Sequence, residues 1–549
     1  MNNTSQRVPN YRFACEKPDH IMLSFNGDPK TSMTVTWRQC KEITQGFVDL
    51  RSKNGETFRV DAVTELFKSD VNISSIFWAK LTGLKPGTKY YYTCGDVNNR
   101  SDEFYFTTQP ENLTSFKFIA ISDHQKDDDH YNPSYARLNA FLKSVLKENP
   151  DVRFILTAGD NTNCGQHEIQ WNAMFEGMQG IIEYIPYMMT CGNHDNRGMC
   201  SYFPEESGRY YAEPAEFFDN QLKYSYPLNG PEGWQTENYS FDYGDVHFVV
   251  AGVNEPKLVN EWLVRDLDEC GKKWKFGTYH FPIYYAGPNL SNDDGYPMMR
   301  PGLEKLDVLF SGHEHNFSRS FPIRNEEMFD RPSQGTVHYE LGNGNFNPPG
   351  THTTNKLWHC AFYPQEEQVS AYVLVEIDGD KASFVTKLND GRIVDEFLID
   401  KQKDEIRPYC VAPVFGAGRT RLLYKGCDMG LCFEEILPFK KDDEWMVPFG
   451  SLISHIGGTA LRDGNRLIVN AYNITAVFTA GEKTALVNGK EEQMCQSAVI
   501  DKCNQIFVPL SSACTFFKMK WAYAKRNNFL TVESADEGQP LPVDISELR

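Results

Sequence analysis

Apolar and polar residues alternate in short runs over the first hundred residues of the chain. In residues 32–37, SMTVTW, every second residue is apolar, a pattern that predicts a strand with one face buried and the other in solvent. Pro86-Gly87 separates two further strand-like runs in IFWAKLTGLKPGTKYYYTCG, and this pair favours a turn because proline presets φ and glycine accepts positive φ. The pattern therefore predicts an N-terminal β-sandwich over residues 16–112, after an N-terminal extension of residues 1–15.

Beyond residue 113, strands alternate with helices. The apolar run 116–121 ends in Ser-Asp-His-Gln, apolar residues recur at helical spacing over 135–145, and the run 152–156 ends in Gly-Asp. This order predicts a β-α-β unit with an acidic residue at the carboxyl end of each strand. Three further apolar runs also end in polar loops: residues 185–190, 276–279 and 308–310. Open α/β sheets bind ligands beyond the carboxyl ends of their strands, so we expect these loops to converge on one crevice of a domain spanning residues 113–400.

The last part of the chain, residues 401–549, contains a repeat. The segment MVPFGSLISHIGGTALRDGNRLIV begins at Met446, and FVPLSSACTFFKMKWAYAKRNNFLTV begins 61 residues later at Phe507. Val447-Pro448 aligns with Val508-Pro509, and both units close with a polar turn and an apolar strand. We therefore expect a small α+β repeat domain at the C-terminus.

Composition narrows the function classes. The chain has 549 residues and a formal net charge of −19, from 55 Lys+Arg and 74 Asp+Glu. This acidic balance, without a Lys/Arg block, disfavours a protein that binds nucleic acid by neutralising phosphates. No run of about 18 apolar residues is present, which excludes a membrane-spanning helix. A phosphorylated substrate remains compatible with the charge, because a bound metal would invert the local field.

The cysteines and the start of the chain bear on the cellular compartment. The fourteen cysteines contain no CxxC pair, which argues against a structural zinc ribbon. Cys427–Cys432 and the group Cys495, Cys503 and Cys514 are candidates for short-range disulfides. The first residues, MNNTSQRVPN, show no basic-then-apolar leader, so the protein either stays inside the cell or has been trimmed of its leader.

The polar loops carry the side chains that a pair of divalent metals requires. Two such ions about 3.5–4 Å apart need nitrogen and oxygen ligands, one of which bridges both ions, and hard or borderline metals favour carboxylate, amide oxygen and imidazole over thiolate. The loops supply this set: Asp123, Gln125, Asp160, Asn193, His280, His313 and His315. Each residue alone has an ordinary structural explanation, but their joint occurrence after five predicted strands indicates a dinuclear site.

The order SDHQ, GDN, GNHD, YHFP and GHEH resembles that of the calcineurin-like metallophosphoesterases over residues 115–400. The segments GDPKTSMTVTWR and LTGLKPGTKYYYTCGD are similar to the fibronectin type III-like domain at the N-terminus of purple acid phosphatase relatives. Together they resemble the bacterial purple-acid-phosphatase-like enzymes. This resemblance implies a central α/β domain built as a two-sheet β sandwich flanked by helices.

The C-terminal repeat, together with VNGK at 487–490, resembles the copper amine oxidase N-terminal-like modules of secreted and envelope proteins. His455 is the only histidine after residue 359, so no copper ligand set is expected here. The resemblance implies attachment to the cell envelope through this domain and a location outside the cell or at the cell surface.

The metallophosphoesterase resemblance also assigns roles to the site residues. It implies that Asp160 bridges two divalent transition metal ions (Fe, Mn or Zn). One ion would be bound by Asp123 and His315, and the other by Asn193, His280 and His313. His194 would face the substrate as general acid, and Asp195 would orient its imidazole.

Two positions depart from the family pattern. Gln125 stands where many members have histidine, and it would either bind a metal through its amide oxygen or hydrogen-bond a metal-bound water. Asn163 stands where purple acid phosphatases proper have a metal-binding tyrosine, and it is a further candidate ligand. Without that tyrosine the ferric–phenolate colour should be absent. Because Gln125 and Asn163 are neutral, we expect either two divalent ions or a first site that binds its metal more weakly than the second.

These roles predict a hydrolase of phosphate esters. A metal-bridging hydroxide would attack phosphorus in line while His194 protonates the leaving oxygen. The expected substrate is a small phosphomonoester. One alternative is a phosphodiesterase acting on nucleotides or lipid head groups. Another is a surface-attached, non-catalytic binding protein with a degraded metal site, which Gln125 and Asn163 favour and the intact GNHD and GHEH loops oppose.

Overall fold

A computed structural model shows three consecutive parts of the chain. The residues it describes are 10–126, 131–196, 215–286, 296–347, 356, 358–363, 368–407, 420–425, 427–429, 431, 437–501, 504–524 and 528–534. No helix within these ranges is long and apolar enough to cross a bilayer.

The N-terminal part is an antiparallel β-sandwich, as the alternating pattern predicts. Its strands are β1 Asp19–Ser24, β2 Met33–Cys40, β3 Phe47–Ser52, β4 Thr57–Asp61, β5 Val63–Lys68, β6 Ile73–Leu81, β7 Lys89–Gly95 and β8 Phe104–Thr107. One sheet has the order β1-β2-β6-β5 and the other β4-β3-β7-β8. Trp37 of β2 stacks on its cross-strand partner Phe77 of β6 with ring centroids 5.0 Å apart, and both side chains are fully buried.

Strand β2 differs from the prediction, because its polar face is buried as well as its apolar face. The hydroxyls of Thr36 and Ser225 lie 2.8 Å apart, and Ser24 Oγ donates a 2.6 Å hydrogen bond to the carbonyl of Ser225. Trp78 Nε1 donates to the carbonyl of Gln221 at 3.1 Å. The polar face of this sheet therefore packs against the central domain instead of facing solvent.

The central part contains two mixed sheets flanked by helices. Its strands are β9 Ser115–Ile121, β10 Val152–Thr157, β11 Tyr187–Met188, β12 Tyr239–Tyr243, β13 Val246–Ala251, β14 Trp274–Tyr279, β15 Val308–Ser311, β16 Phe317–Arg324, β17 Glu327–Met328, β18 Thr336–Leu341, β19 His359–Tyr363, β20 Ala371–Asp378, β21 Lys381–Leu388, β22 Ile393–Asp400 and β23 Glu405–Arg407. Its helices are α1 Ala136–Glu148, α2 Glu168–Gly177, α3 Glu216–Leu222, α4 Pro256–Glu269 and α5 Tyr296–Leu303.

The first sheet has the order β11-β10-β9-β20-β21-β22-β23, and the second β12-β13-β14-β15-β18-β16-β17, with β19 paired to β16. Strands β9, β10 and β11 are parallel to one another, as are β13, β14, β15 and β18. The ring of Phe118 in the first sheet contacts those of Phe248 and Phe276 in the second, at 5.3 and 6.3 Å. Strand β23 extends the first sheet to Arg407, beyond the predicted boundary at 400.

Helix α2 follows the loop that contains Asp160, and the sandwich caps its N-terminus. Its own N-cap residue, His167, makes no side-chain cap bond. Asp70, in the sandwich, accepts hydrogen bonds from the backbone N–H of Glu168 at 2.9 Å and from His167 Nδ1 at 2.9 Å. The buried Arg38 of β2 also contacts Glu168. The sandwich therefore supports the helix that follows a predicted ligand loop.

We expect Asp70→Ala to lower the free energy of unfolding by about 1 kcal/mol, the usual cost of losing a helix N-cap. Urea unfolding of the whole chain measures this loss. Asp102→Ala is the matched control, since the Asp102 side chain is 83% exposed and its removal should change stability by less than about 0.5 kcal/mol. Equal stability of the two variants would contradict the trans-domain cap.

A histidine bridge in the second sheet predicts a pH-dependent contribution to stability. His247 bonds Asp242 through Nδ1 and Asp266 through Nε2, both at 2.7 Å. Burial lowers the pKa of His247, but these two carboxylates outweigh burial and raise the pKa to about 9. The unfolded value is about 6.5, so the stabilisation is complete below pH about 6.5 and is lost as the pH rises through about 9.

The wild-type advantage over His247→Gln in unfolding free energy should therefore shrink by about 3 kcal/mol between pH about 6.5 and 9.5, at roughly 1.4 kcal/mol per pKa unit. A difference in unfolding free energy that stays constant across this range would show that the pKa of His247 is not raised in the folded protein.

The C-terminal part is the predicted α+β repeat. Its strands are β24 Arg421–Tyr424, β25 Cys427–Asp428, β26 Phe439–Lys441, β27 Glu444–Val447, β28 Thr459–Asp463, β29 Arg466–Ala471, β30 Ile474–Thr479, β31 Thr484–Val487, β32 Lys490–Gln493, β33 Val499–Ile500, β34 Ile506–Pro509, β35 Met519–Ala524 and β36 Phe529–Ser534, and its helices are α6 Phe449–His455 and α7 Leu510–Phe516. Each repeat unit is a strand, a proline, a short helix and a β-hairpin. Strands β27 and β34 pair antiparallel with Val447 opposite Val508, so the aligned residues of the two units face each other.

The structure describes both cysteines of only one candidate disulfide pair. Cys495 and Cys514 are free thiols, so no bond joins this pair. Cys432 and Cys503, and the side chain of Cys427, lie outside the described residues.

Candidate metal centre

The predicted ligands lie at the carboxyl ends of parallel strands in both sheets. Asp123 and Gln125 follow β9, Asp160 follows β10, and Asn193 follows β11. From the second sheet, His280 follows β14, and His313 and His315 follow β15. The two sheets pack face to face, so the loops of both converge at one end of the domain, as the sequence pattern indicates.

Four of these residues have backbone conformations that non-glycine residues seldom adopt. The φ angles are +50° at Asp123, +56° at Asp160, +76° at His313 and +55° at His315. Left-handed conformations of this kind cost of order 1–3 kcal/mol each and cluster at functional sites. Their concentration in the ligand loops indicates that the fold holds these side chains in place against local preference.

Two glycines allow the ligand loops to approach each other closely. A Cβ atom on Gly192 would lie 2.3 Å from Asp160 Oδ1, and one on Gly312 would lie 2.2 Å from Asp123 Oδ2. Both distances are far below van der Waals contact. Glycine is therefore required before Asn193 and before His313 because the neighbouring carboxylate occupies the space of a side chain.

One group of ligands is compact. Ligand atoms of Asp160, His280 and His313 all lie within 4.8 Å of one another. Asn193 Oδ1 is 2.9 Å from His280 Nε2 and 3.1 Å from His313 Nδ1. His280 Nδ1 donates to the carbonyl of Ala158 at 2.8 Å, which turns its Nε2 towards the cluster. This is the set that the resemblance assigns to the second metal.

The set assigned to the first metal is looser. His315 Nε2 lies 3.5 Å from Asp123 Oδ1, and the backbone N–H of His313 donates to the Asp123 carboxylate at 2.9 Å. Gln125 Nε2 is 3.3 Å from both Asp160 Oδ2 and His315 Nε2. Its Oε1 is buried without a hydrogen-bond partner. Gln125 thus lies between the two ligand groups, with its amide nitrogen towards them.

The electrostatics of Asp160 match a bridging position. Burial alone would raise the pKa of this carboxyl, but the neighbouring His194, His280 and His313 outweigh burial and hold its pKa well below the usual range. The carboxylate is therefore ionised and surrounded by nitrogen donors. The donor set contains carboxylates, amides and imidazoles and no thiolate, which suits divalent transition metals. The residues present fit such ions.

His194 lies beside the ligands, with its side chain 18% exposed. Its Nε2 is 3.7 Å from Asp160 Oδ2, and its backbone N–H donates to Asp160 Oδ1 at 2.9 Å. The imidazole Nδ1 contacts Asn163, at 2.8 Å from Oδ1 and 3.1 Å from the backbone carbonyl. One ring nitrogen thus points to the metal ligands and the other is held by Asn163.

Asp195 does not have its predicted role, because its carboxylate bonds backbone instead of the His194 ring. It accepts hydrogen bonds at 2.9 Å from the backbone N–H groups of Asn161, Thr162 and Gly192. Burial, reinforced by the charge of Asp160, raises the pKa of Asp195. Asp195 therefore ties the loop after β10 to the loop after β11, and the contact with the imidazole belongs to Asn163.

A third loop supports the first ligand loop, and its role is not evident from the sequence. In residues 342–347, GNGNFN, asparagine recurs at every second position. Asn345 Nδ2 donates to the carbonyl of His124 at 3.0 Å, and Asn347 Nδ2 donates to that of Gln125 at 2.6 Å. His124 itself is buried, and its Nε2 lies 2.8 Å from the hydroxyl of Tyr187. The ring of His124 therefore contacts Tyr187 and not the predicted ligands.

The two-sheet fold with this donor set at the carboxyl ends of its strands defines a domain of the metallophosphoesterase class. Residues 116–317 match the family model of the calcineurin-like phosphoesterases. Residues 18–108 match the purple acid phosphatase N-terminal domain, and residues 432–532 match the copper amine oxidase N-terminal domain. The resemblances to these three families are thereby confirmed.

Two similar proteins are from the plant Arabidopsis thaliana. Purple acid phosphatase 21 of Arabidopsis thaliana is 27% identical over 290 residues, covering 50% of this chain and 59% of the relative. Probable inactive purple acid phosphatase 27 of the same plant is 24% identical over 363 residues, covering 56% and 58%. The chain spans between about half and three-fifths of the length of these relatives.

A solved purple acid phosphatase from yellow lupin (Lupinus luteus) seeds aligns with a TM-score of 0.59 at 20% identity, covering 70% of this chain and 74% of that chain. This alignment confirms the fold.

Proposed function

We propose that this chain is a dinuclear-metal hydrolase of phosphate esters, with small phosphomonoesters as its substrates. The observation that carries the proposal is the position of Asp160. Its carboxylate lies 3.2 Å from His280 Nε2 and 3.3 Å from Gln125 Nε2, so it stands between the two ligand groups. Asp123 and His315 lie on one side, and Asn193, His280 and His313 on the other.

Two divalent ions held by these residues would supply Lewis-acid stabilisation of the phosphoryl oxygens and a nucleophile at neutral pH. The chain's own contribution beyond the ligands is the proton for the leaving group. His194 is partly exposed beside the ligands, so it can reach the ester oxygen that departs and donate a proton to it, a contribution of roughly 10²–10⁴-fold.

The choice of monoesters is supported by the relatives, which are named phosphatases. A phosphodiesterase acting on nucleotides or lipid head groups would use the same metals and the same acid. The two readings differ in the groups that recognise the terminal phosphate oxygens. Paired aryl phosphate mono- and diesters, assayed with the manganese- or zinc-loaded full chain, separate them. We expect the monoester to have the higher kcat/KM, and the reverse order would assign the chain to the diesterases.

A non-catalytic binding protein is the second candidate. It is favoured by the amide nitrogen of Gln125, which faces the ligand groups, and by relatives that are themselves named probable inactive. The compact set of Asp160, Asn193, His280 and His313 supports the enzyme instead. The same ester assay decides between them, because a binding protein would take up metal without turnover.

Cell-envelope attachment through the C-terminal domain, and a location outside the cell, stay predictions. They are supported by the match of residues 432–532 to an accessory domain.

A further inference from the structure

The C-terminal domain contains a cavity of about 580 Å³ that is lined by helix α6 and strand β28. Apolar side chains from several elements contribute to its wall, among them Leu461, Leu467 and Ile506. The volume lies within the range of sites that bind small ligands, about 300–1,000 Å³. The predicted metal ligands all belong to the central domain, so this cavity is separate from the candidate metal centre.

Strand β28 forms one edge of its sheet, which has the order β28-β29-β30-β31-β32. The opposite edge, β32, reads Lys-Glu-Glu-Gln, and charged side chains of this kind protect an edge strand from pairing with another chain. Residues 459–461 of β28 read Thr-Ala-Leu instead, and the Leu461 side chain is 63% exposed. The β28 edge therefore lacks the protection that β32 has.

The cavity reaches the free edge of β28. Ala460, Leu461 and Arg462 all line it, although successive side chains of a strand point to opposite faces. Asp463 and Arg466 are the pair that closes the hairpin of β28 and β29 around a two-residue turn. Hydrogen-bonded and non-hydrogen-bonded pairs alternate from such a closing pair. The backbone N–H and C=O groups of Ala460 and Arg462 therefore point outward from the sheet, beside the cavity.

Arg462 gives this cavity a positive charge with one hydrogen-bonding nitrogen unused. Its Nε donates to the carbonyl of Gly464 at 2.9 Å, and its Nη2 donates to Asn504 Oδ1 at 2.8 Å. Its Nη1 is buried without a hydrogen-bond partner in the described part of the chain, which is a costly arrangement. The described residues around the cavity include no aspartate or glutamate, although the net charge of the chain is −19. The cavity therefore suits an anionic group with an apolar neighbour.

We propose that this cavity binds the C-terminal end of an extended peptide. The peptide backbone pairs with the free edge of β28, its last side chain is apolar and packs beside Leu467 and Ile506, and its carboxylate binds Arg462. Main-chain pairing of this kind supplies affinity, and the pocket and the carboxylate contact supply specificity. A carboxylate fits because its charge-assisted bonds to a guanidinium are stronger than neutral ones. The site is independent of the proposed hydrolase activity.

Fluorescence anisotropy with the full chain tests the proposal. The probes are four fluorescein-labelled octapeptides of alternating Thr and Ser that end in Leu, Ile, Val or Phe with a free carboxylate. At least one should bind saturably, and its C-terminal amide should bind about 10–100-fold more weakly, because the amide loses the charge-assisted bond. No saturable binding up to about 1 mM, or equal Kd values for acid and amide, overturns the proposal.

Strand pairing is tested on the peptide, so that the fold of the protein is not disturbed. Methylating alternate backbone nitrogens of the best probe should weaken binding in one of the two possible phases, since strand addition uses every second N–H. Full binding of both methylated series would show that no strand is added to β28, and would overturn the proposal.

Arg462→Met, with Arg466→Met as the matched control, tests the carboxylate contact. Arg462→Met should bind the acid and the amide with equal Kd, as expected when both changes remove the same interaction. Arg466 lies in the same hairpin, is exposed and pairs with Asp463, so Arg466→Met should keep the wild-type preference for the acid. A preference that survives Arg462→Met assigns the carboxylate elsewhere and overturns the proposal.

A lipid anion is the other occupant that an apolar cavity with one arginine could take. Dodecanoate has a carboxylate and an apolar chain but no peptide backbone, so it should displace the bound probe far less effectively than the unlabelled peptide does. If dodecanoate displaces the probe as well as the unlabelled peptide, the cavity is a lipid-anion site and the peptide proposal is wrong.

Discussion

Replacing His194 by alanine should leave both metals bound and lower kcat on an alkyl phosphate by roughly 10²–10⁴-fold, the range of general acid catalysis. The metals stay because the contact of residue 194 with Asp160 Oδ1 is made by its backbone N–H at 2.9 Å, which alanine retains. The loss falls on turnover because the imidazole, with Nε2 3.7 Å from Asp160 Oδ2, is the group that would deliver the proton.

The measurement is kcat on an alkyl phosphate, with metal content determined on the same sample. His455→Ala is the matched control, because this exposed histidine lies in the C-terminal repeat and should leave both quantities unchanged. If His194→Ala remained fully active on the alkyl phosphate, the assignment of the acid would be wrong.

Replacing Asp160 by asparagine should have the largest effect. The carboxylate is ionised and stands between the two ligand groups, where it is 3.2 Å from His280 Nε2. A neutral amide cannot bridge two cations in its place. Because bound metals contribute several kcal/mol to stabilising the transition state, and 1.36 kcal/mol is tenfold in rate, kcat should fall by at least about 10³-fold.

Metal content should fall with the rate in Asp160→Asn, from two ions per chain to one or fewer. Asp390→Asn is the matched control, since Asp390 lies in an exposed turn beside Arg392 and should keep two ions and full activity. Far-UV circular dichroism checks that both variants are folded. If the Asp160→Asn protein binds two ions and its kcat is within tenfold of the wild-type value, Asp160 does not bridge the metals.

The ligand loops could be predicted from the sequence because each is a local signal. Asp123, Asp160 and His280 directly follow apolar runs, and parallel strands bring such ends together without any knowledge of the packing between them. The same holds for the C-terminal repeat, where Val447 aligns with Val508 and the two prove to be cross-strand partners. Periodicity and strand-end motifs therefore predict both the fold and the residues of the candidate metal site.

The contacts around those loops could not be predicted, because they join residues far apart in the chain. Asp195 was expected at the imidazole and instead bonds backbone N–H groups over thirty residues earlier. Asn347 holds Gln125 from 222 residues away. No periodic pattern reports such pairings, although alternate asparagines in a loop are a signal that its side chains bond neighbouring backbone.

The buried polar face of β2 is a second feature that the sequence pattern does not predict. Alternation of apolar and polar residues indicates which face is apolar, but a polar face is solvent-exposed only if nothing packs on it. Thr36 meets Ser225 there at 2.8 Å, because serine and threonine hydroxyls can satisfy one another in a buried interface. Periodicity alone would assign such an interface between domains to the solvent-exposed surface.

The proposed enzyme hydrolyses phosphate esters through two metals held about Asp160. The most direct test is to strip the full-length protein with a chelator, add back manganese or zinc in steps, and measure bound metal and 4-nitrophenyl phosphate hydrolysis at each step. Activity should be absent from the stripped protein and should appear as binding approaches two ions per chain. Fewer than one bound ion per chain, with no turnover at any metal concentration, would contradict it.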